Sequence, residues 1–227
     1  GELSVLVMLF LMVFMAAVVG AIVFTEGGQR RISIQYAKRV VGRKMYGGQS
    51  THLPLKVNTS GVIPPIFASS IIMFPATIAQ FTPHPWMQNF SAMLTPGTIF
   101  YSLIFIGAIF FFCYFYTAVI FNPVDVADNM KKHGGFVPGI RPGPKTSEYI
   151  DEILSKITFY GAIYLSLVCI LPDYLIKYIN IPFYFGGTSL LIVVGVSLDT
   201  MQQIESHMVM RNYDGFMKKG RLKGRRG

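Results

Sequence analysis

The stretch Gly97–Phe121, GTIFYSLIFIGAIFFFCYFYTAVIF, contains no charged residue and decides the class of fold. A helix of about 20 residues rises roughly 30 Å, the thickness of the hydrocarbon core of a bilayer. A run this long and apolar predicts a membrane-crossing helix. Outward from it, the two flanks differ: Thr82–Pro96 is uncharged, whereas Lys131, Lys132, Arg141, Lys145 and Lys156 follow on the other side. Further uncharged apolar runs lie at Ser4–Phe24, Val62–Phe81, Ile157–Leu171 and Tyr178–Leu198. Between the first and second runs come Arg30, Arg31, Lys38, Arg39, Arg43, Lys44 and Lys56, and after the last come Arg211, Lys218, Lys219, Arg221, Lys223, Arg225 and Arg226. Of the twenty Lys and Arg residues only Lys177 stands elsewhere. Because Lys and Arg accumulate on the cytoplasmic side, this alternation predicts five spans, at about 4–24, 61–81, 97–121, 153–172 and 186–208. The cytoplasmic loops are then 25–60 and 122–152, followed by a basic tail at 209–227. The N-terminus of the chain lies outside and the C-terminus in the cytoplasm.

Composition agrees with an all-α membrane protein. Hydrophobic residues make up 52% and charged residues 14%, too few charges for an ordinary soluble surface. The net charge of +9 is mostly the topogenic excess just described and does not by itself call for nucleic acid. Cys113 and Cys169 both sit inside apolar runs and read as small buried hydrophobes, not as a disulfide or metal pair. The first run is too long, and lacks the basic flank, for a cleaved signal peptide. Opening on Gly1-Glu2, without Met and directly into a span, the chain reads as a fragment or a split subunit.

Between the first two spans, Ile32, Ile34 and Tyr36 alternate with Arg31, Ser33 and Gln35, and Leu53, Leu55 and Val57 alternate after the Gly47-Gly48 breaker. That is strand periodicity, and it predicts a β-hairpin-like finger with a basic tip of Lys38, Arg39, Arg43 and Lys44. The second run carries Pro64 and Pro65, which suit a first helical turn, and Pro75, which is interior and frees the carbonyl of Ile71. With Ser69, Ser70 and Thr77 on the same helix, this face is expected against protein or water. Trp86, Phe90 and Met93-Leu94 recur at helical spacing and predict a short interfacial helix. The Gly134–Pro144 stretch, dense in Gly and Pro, is expected to hold no regular element. Ser147 is expected to cap the fourth helix, with Glu148, Asp151 and Glu152 in its first turn.

The chain shows no chemistry of catalysis. None of its histidines lies in one of the uncharged apolar runs, and the nearest carboxylate, Asp199, directly follows the last of them. A buried charge is costly in lipid and is kept where it works, so spans without one argue for a conduit or scaffold and against an enzyme or proton relay. No cofactor and no metal are expected.

Several strings are closely similar to bacterial SecY, in that family's order and over nearly the whole chain. They are Gln29–Arg39, Tyr46–Lys56, Gly61–Pro64, Phe67–Ser70, Phe121–Pro123, Phe136–Gly143 and Pro182–Ile192. The resemblance implies the second half, helices six to ten, of a ten-helix pseudo-symmetric channel that passes unfolded polypeptides across the bacterial cytoplasmic (inner) membrane and releases apolar segments into membrane lipid. It implies as partners the N-terminal half of SecY, SecE, SecG, the ATPase motor SecA, the ribosome with its rRNA phosphates, and the translocating polypeptide. It places Ile66 and Ile192 in the pore ring, and Ser69, Ser70, Phe74 and Pro75 on the lateral gate helix. Arg30, Arg31, Lys38, Arg39, Arg43, Lys44 and Arg141 become docking residues. Read without it, the two isoleucines are lipid-facing or core residues, the proline-bearing helix is a kink in a fixed bundle, and the basic loops are topogenic. Rival functions are half of a secondary transporter built from five-helix repeats, with Pro75 and Gly186-Gly187 as its broken helices, and a membrane tether for ribosome or RNA.

Overall fold

The computed structural model describes residues 5–36, 39–41, 44–46, 50–81, 85–179 and 186–219. The elements run α1 (Val5–Glu26), β1 (Gln29–Tyr36), β2 (Arg39–Val41), β3 (Lys44–Tyr46), β4 (Ser50–Lys56), α2 (Ile63–Phe81), α3 (Pro85–Met93), α4 (Ile99–Ile120), α5 (Pro123–Lys132), β5 (Gly135–Phe136), α6 (Pro144–Ile179) and α7 (Gly187–Lys219). By length and composition Met8–Glu26, Ile99–Lys132 and Pro144–Tyr178 suffice to cross a membrane, and Ile63–Ala79 is a shorter apolar helix.

Helix α4 lies at the centre, packed on both α2 and α6. It is apolar around its whole circumference, so hydrophobicity does not choose the face it buries. Its buried residues are Ser102, Phe105, Ile109, Cys113 and Thr117, one stripe at helical spacing and mostly small or weakly polar. In lipid, small residues let helices approach and hydroxyls bond across the seam, so they mark the contact face better than leucine does. Thr117 meets Thr158 of α6 in this way, oxygen to oxygen at 3.4 Å. Ile22, Ala68, Ile72, Ala162, Leu165, Cys169, Leu191 and Val194 complete this core from α1, α2, α6 and α7. The opposite sides of the helices, including Leu103, Phe111 and Phe115 of α4, are exposed and suit lipid.

A second core stands apart. Strand β1 pairs antiparallel with β4, Ile32 opposite Leu53 and Ile34 opposite Thr51. Ile32, Ile34 and Leu55 are buried, while Arg31, Ser33 and Gln35 are exposed, as the alternation requires. These side chains pack with Met130 of α5, Val137, and Ile150 and Leu154 of α6. The two loops that bracket α2–α4 in sequence therefore form one body.

Two expectations are corrected here. The Gly/Pro-rich segment does contain a regular element, because Gly135 and Phe136 pair with Tyr36 and Gln35 and extend the sheet to the order β4-β1-β5. Glycine suits that pairing: a Cβ there would lie 3.1 Å from the Tyr36 ring and 3.2 Å from Ile34 Cγ2, tight enough that those side chains would have to shift. Ser147 is not the cap of the fourth helix, which begins at Pro144. The amides of Thr146 and Ser147 donate to the Gly143 carbonyl at 2.9 and 3.2 Å, and Thr146 Oγ1 donates to the Arg141 carbonyl at 2.9 Å. Proline fits the first turn, where its missing donor costs nothing, and Glu148, Asp151 and Glu152 fall beyond that turn. With 36 residues α6 is about 54 Å long, well over the hydrocarbon thickness, and its N-terminal part carries Ile150 and Leu154 into the sheet's core.

Candidate functional site

Helix α2 starts at Ile63 with Pro64 and Pro65 buried in its first turn, and it contains Pro75. Its buried face is Pro65, Ala68, Ile72 and Ala79. The remainder faces away from the rest of the chain: Ile71 is 54% exposed, Met73 and Phe74 69% and Phe81 83%. Phe67 is half-exposed and stacks on Phe112 of α4, ring centroids 5.7 Å apart. An apolar face this wide suits lipid, a further protein wall or an apolar segment in passage.

The hydroxyls of α2 are satisfied within the helix. Ser69 Oγ and Ser70 Oγ both donate to the Ile66 carbonyl, at 2.9 and 2.8 Å, and Thr77 Oγ1 donates to the Met73 carbonyl at 2.9 Å. Such back-bonding lets a polar residue sit in a helix without water and favours bending. These side chains fit either a wet or a dry surface.

Ile66 is 37% exposed, pointing off the core, and Ile192 is half-buried on α7 between Leu191 and Val194 of that core. They lie on separate helices that both contribute to one core. Two side chains do not close a ring.

The body built on β1, β4 and β5 carries basic groups. Arg30 and Arg31 are exposed on β1. Arg30 lines a cleft of about 410 Å³ with Tyr149, Glu152, Lys156 and Tyr160. Arg141, on the turn before α6, is exposed and lines a second cleft of about 430 Å³ with Lys145, Glu148, Tyr149 and Glu152. The clefts share Tyr149 and Glu152, so the fold brings Arg30 and Arg141, far apart in sequence, to one surface. Lys156 Nζ donates to Glu152 Oε1 at 2.6 Å, one turn along α6, which leaves both clefts with mixed charge. Arg39 and Lys44 fall on β2 and β3, whose register pairs Arg39 with Tyr46 and Val41 with Lys44. Lys38, Arg43, the Gly47-Gly48 breaker, Pro182–Phe185 and the end of the basic tail lie outside the described residues.

A buried polar junction went unread in the sequence. Asn58, only 4% exposed, donates through Nδ2 to Glu26 Oε1 at 2.6 Å and to the Gly61 carbonyl at 3.1 Å, and Ser60 Oγ donates to Asn58 Oδ1 at 3.4 Å. The one available signal was the turn-forming run Asn58-Thr59-Ser60-Gly61 just ahead of α2. Beside it a cleft of about 320 Å³ is lined by Glu26, Lys56, Tyr116, Asp199 and Gln202, among others.

Comparison with known proteins places this arrangement. The family model for SecY matches residues 2–201. Over 228 residues the chain is 52% identical to protein translocase subunit SecY of Escherichia coli K12, covering 99% of the chain and 52% of that protein. It is 50% identical over 231 residues to the subunit of the same name from Vibrio cholerae, with 99% and 52% covered. To that of Thermotoga maritima it is 46% identical over 226 residues, with 100% and 52% covered. The chain thus spans about half the length of the curated relatives it matches. Among solved structures it resembles a protein-conducting channel at TM-score 0.60 and 15% identity, covering 87% of this chain and 49% of that one. A SecY structure described in terms of its plug domain and closed state matches at TM-score 0.59 and 15% identity, with the same coverage.

Proposed function

The chain belongs to the SecY family, and from that premise we propose that it forms helices six to ten of the pore subunit of a protein translocase. It sits in the bacterial cytoplasmic membrane with five crossings, its N-terminus outside and its C-terminus in the cytoplasm. The observation that carries the reading is the wide exposed apolar face of α2, with Ile71, Met73, Phe74 and Phe81 unburied by the rest of the chain. This face is one wall of a passage whose other wall is the N-terminal half of the protein.

The work is done without chemistry on a substrate. A constriction of aliphatic side chains dewets when empty, which blocks ions, and deforms around a passing chain. Ile66 and Ile192 are this half's contribution to it. An apolar segment gains a few tenths of a kcal/mol per residue at mid-bilayer, about −0.3 to −0.6 for Leu, Ile, Phe or Val. Opening α2 sideways lets such segments sort themselves into lipid without fuel. Phe74 and Pro75 lie on that moving wall, and Ser69 and Ser70, bonded to the Ile66 carbonyl, keep it free of unpaired hydroxyl donors. Arg30, Arg31, Arg141 and the basic finger residues Lys38, Arg39, Arg43 and Lys44 face the cytoplasm, where they receive the SecA motor or rRNA phosphates of a translating ribosome. SecE and SecG complete the assembly.

Ion conductance of the assembled complex in planar bilayers, without substrate, tests the reading. Ile66→Asn and Ile192→Asn put hydrogen-bonding groups into the constriction at nearly constant width, so the resting channel should hydrate and leak. Resting conductance equal to that of the unsubstituted channel in both variants would remove these side chains from the seal.

A further inference from the structure

We infer that Asn58 is a positioning residue, the joint through which the cytoplasmic sheet sets the position of α2. The inference rests on α2 being a moving wall of the passage, as proposed above. The hairpin ends at the backbone bond from Val57 N to the Gly28 carbonyl, 3.0 Å. Between that bond and Ile63 lies only the turn 58–62, in which Gly61 adopts φ +64°, a conformation that costs a residue with a Cβ. A turn of that kind, left to itself, is a swivel. Asn58 makes it a rigid link, because one buried amide holds the last residue of α1 through Glu26 Oε1 and the approach to α2 through the Gly61 carbonyl. Ser60, 5% exposed, fixes the remaining Asn58 oxygen.

The surroundings leave the turn little freedom. A Cβ on Gly161 of α6 would lie 3.0 Å from the Val57 carbonyl, so the backbone there rests directly on the long helix. That helix also carries Ile150 and Leu154 of the cytoplasmic core. A load on the sheet therefore reaches the first turn of α2 through short, stiff connections. Beyond that turn, α2 packs on α4 along one side and presents its wide exposed face on the other.

The test uses the full-length protein in its assembled complex, reconstituted in lipid, with spin labels at Met73→Cys on α2 and Phe115→Cys on α4 and the other cysteines replaced. The label-to-label distance is measured with and without purified ribosomes, and ribosome binding is measured alongside. The expected result is a shift on ribosome binding that is lost in Asn58→Leu and kept in Glu26→Gln, which still offers Asn58 an acceptor, with ribosome affinity within twofold in both. A purely structural role would lower abundance without separating binding from the shift. A full shift in Asn58→Leu overturns the joint alone. Absence of any shift in the unsubstituted protein overturns the moving wall and the joint with it. Should Asn58→Leu fail to accumulate, Glu26→Ala, which leaves the bond to Gly61, decides the matter: at least half of the shift should disappear, and an undiminished shift overturns the inference.

Discussion

Replacing Gly187 by alanine gives a quantitative test of how α6 and α7 meet. Gly187 is buried at the start of α7, directly against the backbone of α6. A Cβ there would stand 2.5 Å from both Cα and the carbonyl oxygen of Cys169, and 2.6 Å from the Val168 carbonyl oxygen. Ordinary contacts between such atoms begin near 3.5 Å, so the two helices must separate by about 1 Å at this point. The obstructing atoms are main chain, and no rotamer change relieves them. Overpacking of this kind costs about 1–3 kcal/mol. The separation also loosens Leu191 and Val194 against Leu165 and Cys169, in the same core. Against this, alanine favours a helix over glycine by up to about 1 kcal/mol, less at a first position than in the interior. A net loss of about 1–2 kcal/mol corresponds to a midpoint lowered by about 2–8 °C for a chain of this size. Cys169 is 2% exposed and supplies the readout: its thiol becomes reactive to maleimide as the contact opens on heating. Gly107→Ala is the control, since a Cβ there meets nothing within 4 Å. A Gly187→Ala midpoint at or above that of the unsubstituted protein refutes the close approach, as does an equal fall in Gly107→Ala.

Arg141→Glu should reduce motor-driven transport at least about tenfold while leaving membrane abundance unchanged, because this side chain is exposed and its reversal costs no packing. Transport at the unsubstituted rate would remove Arg141 from the docking surface. For topology, a cysteine at Lys145 should react with an impermeant thiol reagent only from the cytoplasm and one at Asn89 only from outside, both positions being exposed. Reaction of the Asn89 position from the cytoplasm would break the five-span arrangement.

The helical class was legible in residues alone. An uncharged run such as Gly97–Phe121 has to be a helix in lipid, because only a helix satisfies every backbone group within one segment. The alternation of Ile32, Ile34 and Tyr36 led to β1 for a similarly local reason: period two puts those side chains on one face whatever surrounds them. The short helix α3 followed from the spacing of Trp86 and Phe90 in the same way. The strings shared with SecY named Ile66, Ile192 and Arg141 as residues to examine, which composition and periodicity never would have done.

Contacts between segments distant in sequence were decided by the tertiary structure. The pairing of Gly135 with Tyr36 is one, invisible because a glycine read locally is a breaker, and only the facing ring shows how little room there is beside it. The bond from Asn58 to Glu26 is another, since a turn asparagine looks solvent-exposed until the end of α1 meets it. The buried stripe of α4 is the plainest case. Every face of that helix is apolar enough for lipid, so the hydrophobic pattern that orients a helix in water carries no direction here. Ser102, Cys113 and Thr117 face inward because a close helix–helix approach and a hydroxyl partner are available only on that side. Burial in the bilayer was a property of the sequence, and orientation within the bundle a property of its neighbours.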